Sequence, residues 1–172
     1  DHIDIPKNNI NIPEGDISSK DIYSYCNEYE KKINDLGGLD FQLLGIGRTG
    51  HIGFNEPGSN KNSVTRLVSL DFITKEDAAG DFNGIDNVPD KAITMGVDTI
   101  MKAKRIVLLA WGHKKSKKVA KSIEGPISSM VPASFLQAHN NTSIILDEEA
   151  SSELTRYKTP WLVKDCKWTD SL

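Results

Sequence analysis

The sequence has little of what would mark it for a membrane, an oxidising compartment or a nucleic acid. No apolar run among its 172 residues approaches the roughly 18 that a membrane-spanning helix needs, and the first residues do not have the form of a signal peptide. There are two cysteines, Cys26 and Cys166, too few for a disulfide framework. Cys26 falls on the apolar side of an expected helix and reads as a buried thiol rather than a reactive one. A reducing cytoplasm is the expected setting. The formal net charge is only −3, so neither nucleic acid nor a membrane surface is expected as a partner, and any anion site has to be local. Metal ligation is disfavoured because His2, His51, His113 and His139 are scattered, and no third ligand stands at a convincing spacing from His51 and Glu56.

What is present suits one globular domain. Charged residues make up 26% and hydrophobic residues 38%, ordinary values, and the length allows a sizeable core. No repeat, low-complexity tract or internal linker interrupts it. The opening "DHIDIPKNNINIPEGD" reads as a connecting segment, and the closing "TPWLVKDCKWTDSL" is not an obvious end. The chain is therefore expected to be part of a longer one.

Residues 18–36 carry Ile22, Cys26, Tyr29, Ile33 and Leu36 at helical steps, with Gly37-Gly38 as the stop. Strands are expected at 41–46, 65–70, 92–96, 105–112 and 142–147, with "RIVLLAWG" the central one. A helix follows it to Gly125 with Val119 and Ile123 inward. Pro132 opens another over 132–139, and "EEASSEL" reads as a last one. Strands alternating with helices predict an α/β fold, an open and mostly parallel sheet with flanking helices, in the three-layer manner of Rossmann-like folds.

The stretch "LLGIGRTGHIGFNEPGS", residues 43–59, raises the question of function. Gly45, Gly47 and Gly50 fit G-x-G-x-x-G, and Asp71 stands about twenty residues on, where a ribose-binding acid belongs. A dinucleotide site also needs a helix starting in the glycine turn. Residues 51–64 read "HIGFNEPGSNKNSV", and a helix interior pays about 3 kcal/mol for Pro and about 1 for Gly. No crossover helix is expected there, so the glycine match is fortuitous. The loop instead delivers His51, an Asn and Glu56 within six residues at the carboxyl end of a buried strand, where open α/β sheets bind ligands. A histidine beside a carboxylate can move a proton near neutral pH.

"GIGRTGHIGFNEPGS" resembles the active-site loop of the glucosamine-6-phosphate deaminases (isomerases). "DHIDIPKNNINI", "VPDKAITMGVDTIMKAKRIVLLAWGHKKSKKVAKSIEG", "PASFLQAH" and "IILDEEASSEL" resemble further segments of that family in the same order, over residues 1 to about 157. The phosphogluconolactonases are similar more distantly, sharing a Gly-His element. The resemblance implies conversion of glucosamine 6-phosphate to fructose 6-phosphate and ammonia, with no redox cofactor and a sugar phosphate as the small-molecule partner. His51 would open the pyranose ring as acid and base, Glu56 would orient it, and Thr49 would complete the catalytic group. Gly47, Arg48, Gly50 and Lys115 are the implied substrate-binding residues, Lys115 reaching the phosphate. Some members are hexamers with an allosteric amino-sugar site, so a homo-oligomer is an open expectation; nothing in this sequence supports that site.

Three departures accompany the resemblance. Thr49 stands where the family usually has Asp, and brings no negative charge to His51. The family's phosphate-binding Arg before "VPDKAITMG" is missing, since no Arg lies between Arg66 and Arg105. The family's N-terminal part, with a glycine- and threonine-rich phosphate loop and the Asp that shuttles a proton between C1 and C2, has no counterpart here. The chain alone is thus expected to be the inactive C-terminal portion of such a domain. The alternatives are a non-catalytic sugar-phosphate-binding domain and a sugar-phosphate lactone hydrolase with His51 as general base.

Overall fold

The computed structural model describes residues 4–159. Helix α1, Ile22–Asp35, forms where the apolar spacing predicts it. It ends because Gly37 and Gly38 adopt φ of +91° and +86°, values that only glycine takes freely. The Gly38 amide then donates back to the Ile33 carbonyl at 2.9 Å.

Strands β1 (Phe41–Gly45), β4 (Arg105–Ala110) and β5 (Thr142–Leu146) pair in parallel in the order β1-β4-β5. Strand β4 is central, as its composition predicts. In register, Leu44 lies beside Leu108 and Leu108 beside Ile144, so these side chains share one face. That face enters the core, where Leu44, Ile106, Leu108 and Ala110 pack with Ile52, Ile100, Val119, Leu136 and Leu154.

The other two strands depart from the expected single sheet. Strands β2 (Arg66–Ser69) and β3 (Lys91–Thr94) pair with each other, antiparallel, in a separate ribbon. Their residues are only partly buried along most of their length, as suits a two-stranded ribbon rather than a doubly covered sheet. Helices α3 (Val97–Met101), α4 (Ser116–Ile123), α5 (Glu148–Ser151) and α6 (Thr155–Lys158) follow β3, β4 and β5. Residues 132–138 form a 3₁₀ helix rather than an α-helix. Among the described residues the second face of the parallel sheet is open: Phe41, Leu43 and Ile145 are 53%, 54% and 52% exposed. The parallel sheet with flanking helices is the α/β architecture that the sequence leads one to expect.

Candidate active site

At the carboxyl end of β1 the chain makes a tight loop. The Gly50 amide donates to the Gly47 carbonyl at 2.9 Å, and the Gly47 amide to the His51 carbonyl at 3.0 Å. Gly50 takes φ of +90°. Residues 51–64 contain no helix, which removes the dinucleotide geometry. Asp71 is also accounted for: it caps helix α2 (Phe72–Ala78), its side chain accepting from the Ile73 amide at 2.8 Å.

The loop brings His51 and Glu56 together. Nδ1 of His51 lies 3.1 Å from Oε2 of Glu56, and both side chains are 13% exposed. Two hydroxyls complete the cluster. Thr49 donates to Oε2 of Glu56 at 2.9 Å, and Thr74, from α2, donates to Oε1 at 2.5 Å. Both hydroxyl oxygens also stand within 3.2 Å of Nδ1. A carboxylate with those two donors accepts a third from Nδ1–H, which fixes the tautomer and leaves Nε2 as the exchangeable nitrogen. Among the described residues Nε2 has no hydrogen-bond partner. Burial alone would raise the proton affinity of Glu56; the His51 and hydroxyl hydrogen bonds outweigh it and hold the carboxyl down at about 2, against an ordinary 4.5.

That shift makes a stability prediction. A carboxyl with a depressed folded-state pKa stabilises the fold above its unfolded value, and the contribution disappears as the pH falls through the folded one. Between about pH 5 and pH 2, Glu56 should account for about 2–3 kcal/mol of lost stability. Denaturant unfolding of the wild type and of Glu56→Gln over that range measures it. The wild type should lose that much more than the variant, and parallel curves would contradict the assignment.

The loop is anchored from behind by Asn55, which is fully buried. Its Nδ2 donates to the Ile52 and Met95 carbonyls, both at 2.9 Å, and its Oδ1 accepts from Arg66 at 2.9 Å. The Phe54 amide donates to Thr94 at 3.0 Å. The ribbon β2–β3 therefore serves as the loop's rear support. Every polar atom of Asn55 is used, so its role is to hold the loop rather than to meet a ligand.

In front lies an open cavity of about 390 Å³, whose wall includes Gly47, His51, Phe54, Thr74, Asp77 and Lys115. Lys115 sits in the turn after β4, where Gly112 has φ of +83°. The Gly112 amide is held by both carboxylate oxygens of Asp147 at 3.1 and 3.0 Å. Burial lowers the proton affinity of Lys115, Asp77 works against that, and Arg48 adds to it. Arg48 itself is engaged, its Nε on Asp77 at 2.7 Å and its Nη2 on Glu76 at 2.5 Å. His51, Gly47 and Lys115 thus line one cavity, while Glu56 and Thr49 reach it only through their contacts with His51. Gly50 sits behind the loop against Val131, and Arg48 is turned to the acids of α2. Among the described residues no group of three or more His, Cys, Asp or Glu is placed to hold a metal ion, and no helix is long and apolar enough to cross a membrane.

Sequence reasoning missed Thr74, Asp77 and the anchoring by Asn55. The one available signal was Asp71 followed by "FITKEDA", an N-cap before a helical turn; it predicts α2 but not its docking on the loop.

Known proteins resemble this chain in sequence and fold. A family model described as glucosamine-6-phosphate isomerases/6-phosphogluconolactonase matches residues 1–145. A glucosamine-6-phosphate deaminase-like protein of Bacteroides thetaiotaomicron is 51% identical over all 172 residues, which cover 26% of that protein. The glucosamine-6-phosphate deaminase of Clostridium novyi is 48% identical over 153 residues, 89% of this chain and 63% of the relative. A solved monomeric glucosamine-6-phosphate deaminase superposes with a TM-score of 0.79 at 46% identity, over 82% of this chain and 58% of that one. The 6-phosphogluconolactonase of Trypanosoma cruzi shares the fold, with a TM-score of 0.61 at 22% identity over 83% of this chain and 55% of its own. The chain spans from about a quarter to under two thirds of the proteins it matches. With its matched residues and its loop geometry both in place, the chain belongs to the glucosamine-6-phosphate isomerase/6-phosphogluconolactonase family.

Proposed function

We propose that the protein is an amino-sugar phosphate deaminase and isomerase, converting glucosamine 6-phosphate and water to fructose 6-phosphate and ammonia. The observation that carries this is a histidine fixed through Nδ1 to a buried carboxylate, on the wall of the cavity, with Nε2 unengaged. Such a group can pass a proton between the anomeric hydroxyl and the ring oxygen as the C1–O5 bond opens. Glu56 orients the ring, and the Thr49 and Thr74 hydroxyls position the carboxylate. Gly47 lines the cavity without a side chain, so a sugar oxygen can approach the backbone there, and Lys115 supplies a positive charge for the phosphate. No residue of this chain is assigned the transfer of the C1–C2 proton; that step needs a base from elsewhere in the full-length protein. We take these residues as one domain, the C-terminal portion of a deaminase-like domain acting in the cytoplasm, in amino-sugar breakdown.

Ammonia and fructose 6-phosphate should appear in equal amounts when the full-length protein meets glucosamine 6-phosphate. Binding of the sugar phosphate with no ammonia would replace this reading with that of a sensor. Hydrolysis of a sugar-phosphate lactone without deamination would replace it with the lactone hydrolase.

A further inference from the structure

The cations beside the cavity are unusually well matched by acids. Asp77 lines the same wall as Lys115, and its carboxylate takes the Nε of Arg48 while Glu76 takes Nη2. Arg48 and Lys115 on one side, with Glu76 and Asp77 on the other, sum to no net charge. Among the described residues no guanidinium lines the cavity, and Arg66, the next arginine in the chain, has its two terminal nitrogens on Asn55 and Ser59. A phosphate dianion drawn to Lys115 therefore meets a carboxylate on the same wall and finds the nearest guanidinium already bidentately paired.

We propose that Asp77 is a specificity-determining residue that tempers this cavity's affinity for the phosphate of its sugar ligand, offsetting Lys115 and keeping Arg48 occupied. The inference rests on the amino-sugar reading for the identity of the ring, and on the charge arrangement alone for the discrimination. An exposed or half-exposed charge pair is worth up to about 1 kcal/mol, and Asp77 acts on two cations. Its removal should therefore change anion affinity roughly tenfold.

Calorimetric titration of the full-length protein with inorganic phosphate, glucosamine 6-phosphate and glucosamine tests this in the wild type, Asp77→Asn and Asp77→Glu. Asparagine keeps an oxygen for Arg48, and a thermal melt of each variant confirms that it folds. We expect Asp77→Asn to bind phosphate and the sugar phosphate roughly tenfold more tightly, to bind glucosamine within about twofold of the wild type, and Asp77→Glu to restore wild-type discrimination. An unchanged or weakened phosphate affinity in a folded Asp77→Asn would overturn the proposal, and would mean that Asp77 serves to aim Arg48 at the ligand. Absence of phosphate binding in every variant would overturn it as well. If neither sugar binds but phosphate tightens as expected, the charge selection stands and the amino-sugar reading fails.

Discussion

In the full-length protein with the activity proposed above, His51→Gln should lower the turnover of glucosamine 6-phosphate by about 10²–10⁴-fold while changing its binding by no more than about fivefold. Glutamine preserves a polar side chain in the same wall, so the contacts that hold a ground-state sugar persist. What it cannot do is accept and release a proton near neutral pH. Among the described residues the His51 ring is engaged only at Nδ1, which donates to Glu56 with the two threonine oxygens close by, an arrangement that keeps Nε2 for the ligand. A loss confined to turnover is the signature of a group that acts in the transition state. Equal falls in turnover and affinity would mark His51 as a binding residue, and a silent substitution would remove it from the chemistry.

Gly47→Ala should be nearly as damaging to turnover, roughly a hundredfold or more, with little effect on folding. Gly47 does not have a positive φ, so strain is not the reason. A methyl group at this position would stand 2.2 Å from both Cε1 and Nε2 of His51, well inside contact. The side chain can give way more readily than the backbone, so the imidazole swings out and loses Glu56. Thermal melting should then register a small change and ammonia release a large one. Glycine is needed here to make room for the His51 ring. A variant that retains activity would show that the ring has a second productive seat.

Much of this was legible from the residues. The steps of Ile22, Cys26, Tyr29 and Ile33 with two glycines after them define α1, and the apolar runs at 41, 105 and 142 are the three parallel strands. The Pro57-Gly58 pair excludes a helix after the glycine turn, which is why His51 and Glu56 end up on a loop and in contact. The pairing of β2 with β3 was not legible, because a short strand carries no mark of its partner's direction. Nor was Thr74, a common residue 23 positions from His51 whose relevance depends on where α2 docks. Thr49 was read from the sequence as a missing charge. In the structure its hydroxyl donates at 2.9 Å to Glu56, so an aspartate there would set a second carboxylate against the first. Thr49→Asp therefore carries a repulsive cost that spacing alone does not reveal.

One consequence concerns the seven-residue helix α2. Its Thr74 hydroxyl is one of the two that hold Glu56 ionised, and it comes from an element otherwise remote in sequence from the loop. Proton affinity at Glu56 and the seat of α2 are therefore a single linked equilibrium, reciprocal by thermodynamic necessity. Loss of the Thr74 hydrogen bond would raise the proton affinity of Glu56, and a proton on the carboxylate would weaken that hydrogen bond in turn. The helix is in that sense a lever whose position is read out as acidity.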